Sequence, residues 1–242
     1  MALRPWSPIP IQECGEPLVA LPSHFWRLEP HPYRVLGAPY GPEGDPFRLR
    51  QGVVERLLQA EQALQEDVPG LRLAIFDAWR PLAVQRFMVR HALLQECGQQ
   101  DVDPDQPSVQ RDRIEAEVGR FWAPPSDDPA TPPPHSTGAA VDLTLADSAG
   151  LPCPMGGAID AIGAVSEPEF YRAAAQRDPD GEASRWHLNR QLLARVMASA
   201  GFVQHPNEWW HFSWGDQLWA WRSGTAAARY GRVGEEESSR NS

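Results

Sequence analysis

The sequence predicts an α+β fold: a single domain with a small, mostly antiparallel sheet and helices packed against it. Three observations carry this expectation. The chain has 242 residues, 42% hydrophobic and 22% charged, which suits one well-buried core. Short strand-like runs at 71–76, 139–145 and 201–203 lie between segments of helical periodicity. The residues that could do chemistry are shared between the two halves of the chain, so the proline-rich stretch between them reads as a surface loop, not a domain linker.

Residues 1–47 hold ten prolines and several aromatics. They read as an irregular arm packed on the domain, because exposed aromatics at that density are costly. Tyr33 or Tyr40 could line a substrate pocket, but surface packing is the preferred reading. Residues 48–66 place Val53, Val54, Leu57, Leu58 and Leu64 at helical spacing, and Pro69-Gly70 stops the helix. Leu71–Phe76 is a short strand running into Asp77-Ala78-Trp79-Arg80-Pro81, with a second amphipathic helix over about 82–97. A short helix is expected within 111–121. The stretch 123–134, dense in proline, cannot be regular structure.

The run Val141-Asp142-Leu143-Thr144-Leu145 alternates. As a strand it turns Val141, Leu143 and Leu145 into a core and Asp142 with Thr144 to the opposite face. Residues 150–157 are a turn region, 168–177 a weak helix, and His187–Ala200 a helix stopped by Gly201. Gly201-Phe202-Val203 and Trp210–Trp214 read as hairpin partners. The single domain is expected over 1–230, with a disordered tail at 231–242 where Glu235-Glu236-Glu237-Ser238-Ser239 offers nothing to bury.

A net charge of −10 argues against nucleic acid or an anionic membrane surface as the main partner. All 22 basic residues are arginine, which removes lysine Schiff-base and P-loop chemistry. The three cysteines form no C-x-x-C pair and suggest no disulfide framework. The N-terminal residues show no signal-peptide core and no run reaches transmembrane length, so the reading is a soluble, cytoplasmic protein.

One imidazole, His135, precedes Asp142 by seven positions, and Glu208-Trp209-Trp210-His211 offers a second imidazole with a carboxylate three residues before it. Two histidines and an aspartate can hold zinc with a position left open. Glu208, in a bend after Pro206-Asn207, could then serve as general base, and Arg80 as the fixed cation beside a developing oxyanion. Each residue also has an ordinary reading: a hydrogen-bonded histidine, a surface arginine, a structural ion pair. His24, His31, His91, His187 and His205 are left structural.

Four motifs, in order, resemble the VanX-type D-alanyl-D-alanine dipeptidases, zinc peptidases whose fold is like that of the D-Ala-D-Ala carboxypeptidases and the hedgehog signalling domain. Asp77–Pro81 is similar to D-G-Y-R-P. His135–Leu145 is similar to H-S-R-G-S-A-I-D-L-T-L, Pro154–Asp160 to P-M-G-S-R-F-D, and Glu208–His211 to the base-and-ligand motif. Asn189-Arg190 and Gly201-Phe202 also fit, and the likeness covers roughly residues 30 to 220. The resemblance implies one Zn²⁺ per chain on His135, Asp142 and His211, with Glu208 as base and Arg80 as transition-state stabiliser. It implies Asp160 as the group that grips the ammonium of a small dipeptide substrate. It departs from the family at Pro133, where a serine usually helps hold the amino terminus; proline offers neither hydroxyl nor N–H. That departure bears on strict D-Ala-D-Ala specificity. Two alternatives stand beside this reading: a peptidoglycan carboxypeptidase of the same fold, and a non-catalytic zinc-bearing binding module.

Overall fold

The computed structural model describes residues 4–41 and 44–234. Its strands are β1 (Leu18–Ala20), β2 (Trp26–Arg27), β3 (Arg48–Arg50), β4 (Arg72–Asp77), β5 (Ala140–Ala146), β6 (Val203–Gln204) and β7 (His211–Ser213). Its helices are α1 (Pro32–Val35), α2 (Gln51–Asp67), α3 (Leu82–Gln99), α4 (Val109–Phe121), α5 (Arg172–Arg177), α6 (Glu182–Ser199) and α7 (Gln217–Ser223). The expected α+β class holds. Five strands form one sheet in the order β2-β4-β5-β7-β6, antiparallel except for the β2–β4 pair, and β1 pairs with β3 in a separate ribbon.

The alternation in β5 sorts its two faces. Val141, Leu143 and Leu145 enter the main core, which they share with Leu57 and Leu64 of α2 and Leu193, Val196 and Met197 of α6. Each such side chain, fully removed from water, contributes about 1.5–3 kcal/mol before entropy is counted. A second cluster joins α3 and α4 through Val84, Met88, Ile114 and Val118, with Tyr33, Tyr40 and Trp122. Asp142 faces away from the main core, and the sheet register decides what it meets. Asp142 lies opposite Asp77 on β4 and opposite His211 on β7, with an irregularity in β4 between Ile75 and Asp77. Three functional positions thus sit side by side across three strands.

Several expectations need correction. Residues 48–50 are strand, not the start of α2; three residues with an Arg-Leu-Arg pattern are too short to register against an adjoining helical period. The arm is not wholly irregular, since it supplies β1, β2 and α1. Tyr33 and Tyr40 are buried rather than packed on the surface. Helix α6 begins at Glu182, five residues before the expected start. Helix α7 was not anticipated; Asp216 caps it by accepting from the Trp219 N–H at 2.8 Å. The expected disorder from 231 does not hold for its first residues. The Val233 N–H donates to the Ser136 carbonyl, and the Val233 side chain is buried with Leu18 and Trp79. The acidic run from Glu235 lies outside the described residues. The three cysteines are free, and no helix among the described residues is long and apolar enough to cross a membrane.

Candidate active site

His135 sits in a tight 3₁₀ turn, Pro134–Thr137, that closes on Gly138 in the left-handed conformation (φ 71°). A Cβ at Gly138 would lie 2.6 Å from Leu18 Cδ1, so glycine is required there both by conformation and by space. The turn delivers the imidazole to the open end of β5, against His211 and Asp142. His135 Nε2 is 3.2 Å from His211 Nδ1 and 3.1 Å from Asp142 Oδ2, and His211 Nδ1 is 3.1 Å from Asp142 Oδ1. All three side chains are buried.

Outer hydrogen bonds set the tautomers. His135 Nδ1 lies 2.7 Å from the Ala78 carbonyl, which can only accept, so Nδ1 carries the proton and Nε2 keeps its lone pair. His211 Nε2 lies 3.2 Å from Ser213 Oγ. With Nε2–H donating to the Ser213 oxygen, His211 Nδ1 keeps its lone pair. Two imidazole lone pairs and a carboxylate therefore converge with no proton between them, and Asp142 Oδ1 accepts no hydrogen bond. Such a cluster is stable when a cation occupies the centre, and two imidazoles with one carboxylate are a donor set that suits zinc.

Glu208 stands at the edge of this cluster, in the bend before β7. Its Oε2 is 3.5 Å from His211 Nδ1 and its Oε1 is 3.4 Å from His205 Nδ1. Burial, reinforced by the charge on Asp142, raises its pKa well above the ordinary glutamate value.

Arg80 is held on all sides. Its Nε and Nη2 donate to Asp77 Oδ2 at 3.0 and 2.8 Å, its Nη1 to Gln85 Oε1 at 3.0 Å, and its Nη2 also reaches Asp142 Oδ2 at 3.3 Å. The rings of Tyr33 and Trp122 lie 4.9 and 5.0 Å from the guanidinium carbon. Although burial disfavours the charge, Tyr33 and Asp77 hold the Arg80 pKa well above its usual value, so the cation is permanent.

Asp160 adopts φ 66°, unusual outside glycine, and accepts from the Tyr33 hydroxyl at 2.8 Å. Burial first, and then the charge of Asp142, push its pKa up to about 7. The loop that presents it is tied down by α6: the Asn189 side-chain amide donates to the Pro154 carbonyl, and Arg190 to the carbonyls of Met155, Val165 and Glu167.

A cavity of about 260 Å³ joins these groups, smaller than most sites for drug-sized ligands. Arg80, His135, Asp142, Asp160, Glu208 and His211 all line it, so the structure brings every expected site residue to one place. Pro133 lines it as well, with no polar side-chain group to offer. Sequence reasoning missed several contributors. Asp77, fully buried, orders Arg80, and Tyr40 and His31 donate to its other oxygen at 3.0 and 3.1 Å. His205, set aside as structural, lines the cavity beside Glu208. Gln85 bridges Arg80 and the Ala123 carbonyl. Arg4 and Trp6 of the arm close one wall. Of these, only Asp77, three residues before Arg80, and His205, three before Glu208, carry a sequence signal.

Comparison with known proteins bears directly on this geometry. The family model for D-Ala-D-Ala dipeptidases matches residues 27–229. The chain belongs to this family. It is therefore an enzyme of a peptidase family. A D-alanyl-D-alanine dipeptidase of Synechocystis sp. is 43% identical over 96% of this chain and 97% of its own. One of Escherichia coli is 33% identical over 59% of this chain and 55% of its own. A solved structure of the vancomycin-resistance D,D-pentapeptidase VanY, a mutant in complex with Zn(II), aligns over 90% of this chain and 95% of its own, at a TM-score of 0.46 and 14% identity.

Proposed function

We propose that the chain hydrolyses D-Ala-D-Ala, or a closely similar small dipeptide, in a zinc-dependent reaction. The substrate class follows from its curated relatives, which carry the name D-alanyl-D-alanine dipeptidase. His135 through Nε2, His211 through Nδ1 and the Asp142 carboxylate would hold one zinc ion. When bound there, the ion supplies Lewis acidity to the scissile carbonyl and lowers the pKa of water.

The residues of the chain divide the remaining work. Glu208, buried and raised in pKa, is basic enough to take a proton from the attacking water and to return it to the leaving amine. Arg80 is a fixed cation whose five hydrogen-bonded and stacked neighbours prevent reorganisation, so it can meet negative charge developing on the carbonyl oxygen without delay. Asp160 is the carboxylate that pairs with the substrate ammonium, and in doing so it excludes peptides extended at that end. With Pro133 silent, this recognition rests on Asp160 and on backbone carbonyls.

The observation that carries this reading is the convergence of two imidazole lone pairs and a carboxylate beside Glu208. Rates on D-Ala-D-Ala, on an N-capped tripeptide ending in D-Ala-D-Ala, and on L-dipeptides test it. The expected result is turnover of the free D,D-dipeptide alone. Preference for the capped tripeptide would favour a carboxypeptidase, and zinc binding without turnover of any of them would favour a binding module.

A further inference from the structure

We infer that Arg4 binds the free carboxylate of the substrate, so that Arg4 and Asp160 hold a dipeptide by its two charged ends. The inference rests on the dipeptidase reading above and adds to it the recognition of the other terminus. Arg4 precedes the segment that the family model matches.

Two guanidinium groups line the cavity, those of Arg80 and Arg4. Arg80 is already engaged with Asp77 and Asp142. Among the described residues no carboxylate lies within ion-pair distance of Arg4. Its Nη1 donates to the Arg120 carbonyl at 3.1 Å, and its guanidinium lies 5.8 Å from the centre of the Trp6 ring. A partly buried cation without a counter-ion is costly, and an anion entering the cavity relieves that cost. Burial holds the Arg4 pKa below its usual value, and the charge of Glu208 offsets only part of that.

The arm that carries Arg4 is built into the site. The Ser7 N–H donates to the Arg4 carbonyl and the Arg4 N–H to Ser7 Oγ, closing a tight turn. The Gln217 side-chain amide of α7 donates to the Ser7 and Ile9 carbonyls, and Trp6 packs edge-on against His205 at 5.5 Å. Arg4 is thus held at the wall, with donors left for a planar carboxylate. The guanidinium fork matches that ligand better than an ammonium would.

The test compares D-Ala-D-Ala with its C-terminal amide, in wild-type protein and in Arg4→Gln and Arg4→Lys. Wild type should prefer the acid. Arg4→Gln should raise KM for the acid on the order of ten- to a hundred-fold, the loss expected for a hydrogen bond to a charged group, with a far smaller change in kcat. It should leave the amide unaffected, and Arg4→Lys should recover part of the loss. An equal effect on acid and amide would mean that Arg4 acts only through Glu208, and would overturn the inference. So would an unchanged KM for the acid in Arg4→Gln, given an active wild type. Wild-type protein that cleaves neither compound would instead refute the dipeptidase reading, and the role of Arg4 with it.

Discussion

Replacing Asp77 by asparagine tests how the fold holds Arg80 in place. Asp77 is fully buried and accepts four hydrogen bonds: two from Arg80 at Oδ2, and one each from Tyr40 and His31 at Oδ1. Asparagine can keep its oxygen toward Arg80 and turn its amide toward Tyr40 and His31, whose oxygen and ring nitrogen can accept. What is lost is the charge. Breaking a buried ion pair by removing one partner costs about 3–5 kcal/mol. Asp142, at 3.3 Å from Arg80, remains as a second anion and lowers that loss to about 2–4 kcal/mol. Urea denaturation should show the corresponding fall in midpoint with an unchanged m-value. The pH dependence follows from the same contacts. Burial alone would raise the Asp77 pKa, but Arg80 and the His31 bond outweigh it and hold it below the usual range. A depressed folded pKa means that the stabilisation is present above the unfolded value near 4 and is lost as pH falls through the folded one. Wild type should lose this increment in acid and Asp77→Asn should have none to lose. A variant within about 0.5 kcal/mol of wild type at neutral pH would refute the reasoning.

Other substitutions separate the remaining roles. Glu208→Gln should retain bound zinc and the wild-type fold while kcat falls at least about a hundredfold, measured with parallel metal analysis; near-normal turnover would remove Glu208 from the mechanism. For Asp160 the raised pKa has a directional consequence, because the carboxyl is neutral below about 7 and ionised above it. KM for the dipeptide should therefore rise as pH drops below that value in wild type, whereas Asp160→Asn should show a high KM without that pH limb. Gly138→Ala forces a left-handed alanine and a clash with Leu18. It should cost at least about 1–2 kcal/mol, read as a fall in Tm of about 2–8 °C.

Much of this site could be read from the chain because strand alternation and motif spacing act locally. The alternating run 141–145 determined that Asp142 faces away from the core, and the Pro206-Asn207 bend allowed Glu208 and His211 to share a site despite their odd separation. The resemblance to D-Ala-D-Ala dipeptidases added Asp160, whose left-handed backbone and near-neutral pKa no spacing argument reveals. What stayed hidden depends on long-range packing. Tyr33 and Tyr40 looked like surface aromatics in a proline-rich arm, yet their hydroxyls reach Asp160 and Asp77, residues far away in sequence. Arg4 reaches the cavity because Gln217 of α7 holds the arm, a contact spanning most of the chain. Strand β3 was missed because three residues carry too little periodicity to be told from the helix that follows.

The most direct test is turnover of D-Ala-D-Ala by purified protein of known zinc content, with and without a chelator. The account predicts one zinc per chain and hydrolysis that stops on chelation and returns with added zinc. Protein that binds no zinc, or that cleaves the dipeptide equally well without it, would contradict the roles assigned to His135, Asp142 and His211.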